Sequence, residues 1–224
     1  MRKPQYLATI LFALCFTYSF GQKLDKFEST IVQFEEEDKR NGLHPESILF
    51  TGSSSVKRWE TLEADFAPIP VLNRGFGGST IPEVTYYADR IILPHKPKTI
   101  VFYCGENDLS NDEAEAKLAL KSFKKFSKYL DKNLPETKLF FIAIKPSIKR
   151  WHYWSKLNEA NQMIEKFIEK NDNYYFIDVA EKMLDKNGIV LQDIFVKDNL
   201  HLNEKGYKIW TETIKSIIES HYAN

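Results

Sequence analysis

Residues that could support nucleophilic catalysis occur in two segments that lie far apart in the sequence. A row of three serines occupies positions 53–55, and Asp198 stands three residues before His201 near the other end of the chain. A serine hydroxyl becomes an effective nucleophile when a base removes its proton, and histidine titrates in the range where such a base works. A carboxylate across a tight turn can hold the imidazole in one tautomer. These residues predict a catalytic triad.

A second set of residues could stabilise the negative charge of an acyl-transfer intermediate. That charge needs preorganised hydrogen-bond donors, each worth about a hundred- to a thousandfold in rate. The backbone N–H groups of Ser54 and Gly78 and the side-chain amide of Asn107 are donors of a suitable type. We therefore expect Ser54, Gly78 and Asn107 to form an oxyanion hole.

The elements that must position these residues follow from the hydrophobic pattern. Short apolar segments without alternation predict buried strands, here at 47–51, from Val71, at 99–104, at 139–144 and at 174–177. Apolar residues repeating every 3 to 4 positions predict helices at 24–41, 111–130, 154–168 and from Asn203 onward. This alternation predicts an α/β fold: a three-layer, doubly wound, five-stranded parallel sheet with helices on both faces.

Ligands of such sheets bind beyond the carboxyl ends of the strands. Polar or glycine-rich segments follow the first three predicted strands, at 52–55, 73–80 and 105–108. We expect these three segments to converge on one crevice. The 198–201 segment follows the fifth strand and can reach the same crevice.

Four short motifs in this order resemble those of the SGNH hydrolases, also called GDSL-type esterases and acylhydrolases. They are similar to the family's Gly-Asp-Ser, Asn-Arg-Gly-x-x-Gly, Gly-x-Asn-Asp and Asp-x-x-His blocks and lie at 52–54, 73–78, 105–108 and 198–201. The resemblance covers about residues 46–210. It implies the flavodoxin-like form of the predicted sheet.

The resemblance also implies a role for each matched residue. Catalysis and oxyanion binding would fall to Ser54, Asp198, His201, Gly78 and Asn107. Position 53 departs from the pattern, because serine stands there in place of the usual aspartate. The triad acid comes from the last block, so this change does not remove it, but Ser53 and Ser55 remain alternative nucleophiles. Their structural alternatives are a turn residue and the cap of the next helix, respectively.

Several nearby residues have two interpretations. Trp151 follows the fourth strand and is a candidate substrate-binding residue that stacks on a sugar or lines an acyl pocket, with packing as the alternative. Arg74 could recognise a substrate carboxylate, and the alternatives are a buried ion pair or a position on the surface. We interpret Asp108 as a turn or cap residue and Cys104 as a small buried filler.

The composition excludes several classes of protein. The 224 residues include 31 Lys and Arg, 31 Asp and Glu, and 43% apolar residues, which excludes global disorder. Nucleic-acid binders usually have a basic excess, so no nucleic-acid partner is expected. The sequence contains no His-Glu-x-x-His motif, and the glycine-rich turn lacks the Lys-Ser/Thr of a phosphate loop. We expect neither a metal nor a cofactor.

The first 21 residues are typical of a signal peptide. A basic start precedes an apolar stretch at 6–20, and small residues stand at Ser19 and Gly21. A membrane span needs about 20 apolar residues, so an uncleaved anchor is the weaker alternative. We expect 1–21 to direct export to the periplasm or exterior, leaving 22–224 as a hydrolase domain without stable membrane insertion.

The expected function is hydrolysis of carboxylic esters through an acyl-enzyme. Export and the aromatic residues near the fourth strand favour short acyl groups, such as acetyl, on a carbohydrate. The alternatives are a lysophospholipase or other lipid acylhydrolase, a transferase that uses the same acyl-enzyme, and a non-catalytic carbohydrate-binding relative. The sequence leaves the oligomeric state open.

Overall fold

The computed structural model describes residues 26–222, so the predicted signal peptide at 1–21 lies outside the described residues. The described residues fall into two compact units, which divide between Gly42 and Leu43. In the first unit, helix α1 (Glu28–Asn41) ends at Gly42, whose left-handed φ of 83° closes the helix as predicted. No helix between residues 26 and 222 is both long and apolar enough to cross a membrane.

The second unit alternates strands with helices. Its strands are β1 (Ile48–Gly52), β2 (Val71–Gly75), β3 (Thr99–Tyr103), β4 (Lys138–Ile142) and β5 (Tyr174–Ile177). Its α-helices are α2 (Ser54–Lys57), α3 (Leu62–Phe66), α4 (Ile81–Ile91), α5 (Lys117–Asn133), α6 (Trp154–Ile168) and α7 (Glu204–Tyr222). Single 3-10 turns occur at Leu93–His95, Trp151–Tyr153 and Glu181–Met183.

The strands form one parallel sheet in the order β2-β1-β3-β4-β5. This order confirms the predicted doubly wound, flavodoxin-like fold. The order reverses between β1 and β3, and ligands of such sheets bind outside the strands at this switch point. The loops after β1 and β3 are therefore adjacent where a site is expected.

Helices cover both faces of the sheet. Successive strand residues point to opposite faces, and Tyr103 packs on Trp210 of α7 whereas its neighbour Phe102 packs on Phe126 of α5. The ring centroids of these pairs are 4.8 and 4.5 Å apart. The result is three layers, with the aromatic core divided between the two faces.

Helix α4, between β2 and β3, was not predicted from the sequence. Thr80 precedes it and forms a capping box with Glu83, whose Oε2 accepts the Thr80 backbone N–H at 2.8 Å. Pro82 occupies the first turn, where a missing N–H costs little. These start signals were present in the sequence, so the helix could have been predicted.

The predicted start of α5 near Asn111 was wrong. The Asn111 side chain accepts the backbone N–H of Ala114 at 2.8 Å and forms a turn, and the helix begins only at Lys117. The buried side of the helix includes Ala119, Phe123, Phe126 and Leu130. The local side-chain turn therefore shifted the start of the helix and left its inner face towards the core.

Gly52 brings the ends of β1 and β3 unusually close together. Its φ is 127°, and a Cβ atom there would lie 1.9 Å from the carbonyl oxygen of Tyr103. The next residue, Ser53, donates its backbone N–H to the same carbonyl at 2.9 Å. The serine loop after β1 is thus held directly against the loop after β3.

We expect Gly52→Ala to lower the free energy of unfolding by at least ~2 kcal/mol, or to prevent folding, because the new methyl group overlaps the Tyr103 backbone. Gly188→Ala is the matched control: its φ of 75° is also left-handed, but no heavy atom lies within 4 Å of the added Cβ. The control should lose only ~1–2 kcal/mol. Urea denaturation measures both, and equal losses would contradict this account of Gly52.

Candidate active site

Ser54, His201 and Asp198 form one chain of hydrogen bonds. The Oγ of Ser54, the first residue of α2, lies 2.9 Å from His201 Nε2. His201 Nδ1 lies 2.6 Å from Asp198 Oδ2. Asn199 has a left-handed φ of 58°, which turns the 198–201 segment back on itself. The structure therefore brings together all three residues of the predicted triad.

The environment of Asp198 determines the tautomer of the imidazole. Its Oδ1 accepts the backbone N–H groups of Leu200 and His201, both at 2.9 Å. Partial burial would raise the pKa of Asp198, but hydrogen bonds from the His201 ring and these N–H groups lower it well below its ordinary value. An ionised carboxylate only accepts. The proton is thereby placed on Nδ1, and Nε2 is left to accept the Ser54 hydroxyl proton.

The three consecutive serines have different surroundings. Ser54 is partly exposed and its hydroxyl reaches His201. Ser53 is buried, and its hydroxyl oxygen accepts a hydrogen bond from the Asn107 amide at 2.8 Å. Ser55 is also buried and lies inside α2, so Ser53 and not Ser55 occupies the cap position of this helix. This geometry favours Ser54 over its neighbours as a nucleophile.

The side-chain amide of Asn107 is held from both sides. Its Nδ2 donates to Ser53 Oγ at 2.8 Å and to the carbonyl oxygen of Ser79 at 3.0 Å. Its Oδ1 accepts from Arg150 Nη2 at 3.0 Å. A guanidinium group carries only donors, so a flipped amide would face Arg150 with its own N–H groups. Asn107 is therefore fixed with its donors towards the serine loop.

Position 53 still supplies a hydrogen-bond acceptor, although it lacks the aspartate of the related motif. The hydroxyl oxygen of Ser53 accepts one N–H of Asn107. A hydroxyl provides this bond without adding a negative charge to the crevice.

Gly78 lies in the turn that follows β2. Its φ is 82°, it is exposed, and no heavy atom lies within 4 Å of the position of an added Cβ. A Cβ on the preceding Gly77 would lie 3.8 Å from the Cβ of Ser54. The glycine turn is therefore next to Ser54, as expected of an oxyanion loop.

Other candidate residues are placed in the core. Arg74 is buried and donates to the Asn73 carbonyl at 3.0 Å, which disfavours a role in recognising a substrate carboxylate. Trp151 is partly buried, with its ring stacked on Trp154 at 6.2 Å between centroids, so packing accounts for part of its surface. Burial raises the pKa of the Cys104 thiol well above its ordinary value, which suits a buried filler.

Three charged residues next to the site were missed in the sequence. Glu106, Lys145 and Arg150 form a cluster behind Asn107. Lys145 directly follows the apolar run of β4 and its neighbours, where an unpaired ammonium group would be costly. The position of Lys145 in the sequence could have indicated that it pairs with a buried acidic side chain, but it does not indicate which acidic residue that is.

The second unit has several surface cavities. One of about 520 Å³ borders His201, and its lining combines apolar side chains with polar and charged ones, among them Arg58, Glu60, Thr61, Asn203 and Glu204. A larger groove of about 740 Å³ lies between 112–117 and 152–163 and includes none of the triad residues. Within residues 26–222, no group of three or more His, Cys, Asp or Glu side chains is arranged to hold a metal ion.

The fold and the site together define a class of protein. A flavodoxin-like sheet with a Ser–His–Asp chain and an asparagine donor at its carboxyl edge matches the SGNH hydrolases, which confirms the resemblance seen in the motifs. The family model of the GDSL-like lipases and acylhydrolases matches residues 41–209, and the chain belongs to this family. The family places it among the carboxylic ester hydrolases.

Solved structures of similar fold include members of this family. A Streptococcus pneumoniae protein has a TM-score of 0.76 at 20% identity, covering 92% of this chain and 98% of that one. A GDSL-like lipase of Bacteroides thetaiotaomicron has a TM-score of 0.71 at 18% identity, covering 88% and 98%. An acetylxylan esterase of Geobacillus stearothermophilus has a TM-score of 0.61 at 14% identity, covering 78% and 94%. At these identities the likeness shows the fold.

A curated relative is the N-acylneuraminate cytidylyltransferase of Escherichia coli, 23% identical over 201 residues. The match covers 88% of this chain and 46% of that protein. The chain thus spans about half the length of the curated relative it matches.

Asp108 connects the loop after β3 to helix α4. Its two carboxylate oxygens accept the backbone N–H of Ile81 at 3.2 and 3.1 Å, so it caps this helix from another segment. Burial raises the pKa of Asp108 to about 7, although the Ile81 N–H opposes the shift. The folded state therefore favours the neutral carboxyl group.

This shift predicts a dependence of stability on pH. A raised folded-state pKa gives stability that is complete below about pH 4 and is lost as the pH rises to about 7. The side chain of Asp108→Asn cannot ionise, so it contributes no such pH dependence. The free energy of unfolding of the variant minus that of the wild type should therefore rise by up to ~4 kcal/mol between pH 4 and pH 8. Urea denaturation across this range tests it, with exposed Asp172→Asn as the control. A difference between variant and wild type that stays constant from pH 4 to pH 8 would disprove the raised pKa of Asp108.

Proposed function

We propose that this protein is a serine esterase that hydrolyses carboxylic esters through an acyl-enzyme. The observation that carries the proposal is the 2.9 Å contact between Ser54 Oγ and His201 Nε2, continued at 2.6 Å to Asp198. The nucleophile is then within hydrogen-bonding distance of the base, and the base is within hydrogen-bonding distance of the orienting carboxylate, before any substrate binds.

In the first half of the reaction, Ser54 Oγ attacks the ester carbonyl carbon and its proton passes to His201 Nε2. The carbonyl oxygen becomes an oxyanion that accepts hydrogen bonds from the backbone N–H groups of Ser54 and Gly78 and from the Asn107 amide. The Asn107 amide exchanges its bond to Ser53 Oγ or to the Ser79 carbonyl for the one to the oxyanion, because it has only two N–H donors. Asp198 stabilises the imidazolium ion that forms. When the intermediate collapses, the bond to the alcohol oxygen breaks and His201 gives its proton to the departing alcohol.

In the second half, water releases the acyl group. His201 takes a proton from the water as the water oxygen attacks the acyl carbon, and a second oxyanion forms at the same donors. Its collapse breaks the bond to Ser54, and His201 returns the proton to the Ser54 oxygen. The carboxylic acid leaves and the enzyme is regenerated.

We propose short acyl groups, acetyl above all, on a carbohydrate as the substrate. The cavity beside His201 supports this choice because Arg58, Thr61 and Asn203 offer hydrogen-bonding groups among its lining residues. A hydroxyl-rich alcohol can exchange hydrogen bonds with these groups. Two relatives bear carbohydrate names: one is an acetylxylan esterase and the other is named for N-acylneuraminate. Trp151, which follows β4, remains a candidate for stacking on a sugar ring.

The role of Ser54 can be tested directly. On an aryl acetate, Ser54→Ala should lower kcat at least ~10³-fold and abolish labelling by a fluorophosphonate, and His201→Ala should lower kcat similarly. Ser55→Ala, the control within the same serine row, should keep the label because its hydroxyl is buried away from His201. Persistent labelling of the Ser54→Ala variant would assign the nucleophile to another serine.

The substrate class can be tested with the mature chain, 22–224. Acetylated xylo-oligosaccharides and aryl esters of increasing acyl length are compared by kcat/KM. We expect acetyl to exceed butyryl by ~10-fold or more, because an added methylene is worth about that much in a fitted pocket. A preference for long chains would instead identify a lipid acylhydrolase, and ester formation with an added alcohol a transferase. Glycan binding without labelling or turnover would identify a non-catalytic relative.

A further inference from the structure

A cluster of buried charges lies behind the crevice. Lys145 is fully buried, and its Nζ lies 3.2 Å from Oε2 of Glu106, a side chain that is only 7% exposed. Arg150 Nη1 lies 3.3 Å from Oε1 of the same carboxylate. The Tyr103 hydroxyl donates to Oε2 at 2.8 Å. Both oxygens of Glu106 are therefore shared between cations and a hydroxyl donor.

Each cation of this cluster also contacts the catalytic machinery. Lys145 Nζ donates to the carbonyl oxygen of Leu200 at 2.8 Å, and Leu200 directly precedes His201. Arg150 Nη2 donates to Oδ1 of Asn107 at 3.0 Å. Glu106 thus connects two cations that hold different parts of the site, the oxyanion amide and the histidine turn.

The cluster is costly as a means of stabilising the fold. A buried ion pair can often be replaced by apolar side chains of similar volume with no loss of stability, or with a gain. Burial alone would raise the pKa of Glu106, but Lys145 and Arg150 lower it below its ordinary value, so the carboxylate stays ionised. Apolar side chains could fill this space, but they could not hold a carbonyl and an amide oxygen at fixed positions.

We propose that Glu106, Lys145 and Arg150 are positioning residues that hold the oxyanion amide and the histidine turn in register across the crevice. Arg150 fixes and polarises the Asn107 amide, and Lys145 fixes the turn that carries His201. The proposal rests on the proposed esterase function, because it assigns these residues a part in the same reaction.

Arg150 contacts the Asn107 amide, whereas Lys145 contacts the histidine turn. The effect on kcat of replacing Arg150 should therefore depend on the presence of the Asn107 amide, and the effect of replacing Lys145 should not. Arg150→Lys keeps the positive charge beside Glu106 but cannot hold the carboxylate and the amide together as a fork does. It should lower kcat on an aryl acetate by ~10-fold or more and leave KM within ~3-fold. In an Asn107→Ala background the same change should alter kcat by no more than ~2-fold, because its target is already gone.

Lys145→Met is the complementary variant, since Met is apolar and of similar length. Lys145→Met should also lower kcat ~10-fold. The same ~10-fold loss should occur in the Asn107→Ala background, because Lys145 contacts the histidine turn and not Asn107. Arg90→Met, which removes a positive charge from α4 away from the crevice, is the control and should leave kcat unchanged. Rates are divided by the amount of fluorophosphonate-reactive enzyme, so a partly unfolded variant does not count as a slow one.

The outcomes separate this proposal from the proposed function. A wild-type chain that neither turns over esters nor reacts with the fluorophosphonate overturns both. An active wild type with an equally active Arg150→Lys variant overturns the role of Arg150, as do equal losses with and without Asn107. Unchanged kcat in the Lys145→Met variant overturns the role of Lys145. Selective loss of the Arg150 effect in the Asn107→Ala background, with the Lys145 effect retained, supports the proposal.

Discussion

The site depends on one backbone contact, the hydrogen bond from Ser53 N–H to the Tyr103 carbonyl. It can form only because Gly52 has no side chain to separate the ends of β1 and β3. The serine loop after β1 and the loop after β3 that carries Asn107 are thereby joined at the switch point of the sheet. Both strands are buried, so the backbone fixes how close the two loops lie, and side-chain contacts with Ser53 and Arg150 then orient the Asn107 amide.

From that contact, a line of hydrogen bonds runs in one direction through the oxyanion loop. Arg150 donates to the Asn107 oxygen, and the Asn107 nitrogen donates to Ser53. Hydrogen bonds that run head to tail polarise one another. A positive guanidinium at the start of the line therefore makes the Asn107 N–H groups stronger donors where an oxyanion would form. The hydroxyl of Ser53 completes the line without the charge that an aspartate would add, which explains how the departure at position 53 is compatible with an oxyanion donor.

The sequence predicted the parts of this arrangement that depend on pattern. The five strands and the crevice follow from apolar runs and from polar residues at strand ends. The pairing of Ser54 with His201 was expected from the resemblance of the four motifs to those of the SGNH hydrolases, because the strand-end rule alone did not place the 198–201 segment. Charge partners could not be predicted, because Lys145 and Arg150 carry no periodic signal and nothing local indicates that both reach Glu106. The predicted start of α5 was wrong for a related reason. The Asn111 side chain accepts a backbone N–H and so takes the place of the hydrogen bonds of a further helical turn. The hydrophobic pattern of the sequence therefore predicts neither the contacts between distant charged residues nor the turns that single side chains form.

The buried charges also show how the fold divides stability and function between its two ends. The aromatic core along the sheet, where Trp59 packs against Phe50, Phe66 and Trp210, buries large apolar surfaces and supplies stability. At the carboxyl edge of the same sheet, Lys145 continues β4 into the crevice, where a charge costs free energy unless it is fully paired. The net free energy of unfolding of a domain is only about 5–15 kcal/mol, so a well-packed core must offset the free-energy cost of the buried charge. It follows that the charge cluster must be satisfied as a unit, because each oxygen of Glu106 faces one of the two cations. Loss of either cation leaves one carboxylate oxygen with a hydroxyl donor alone, and the part of the crevice that this cation contacts loses its support.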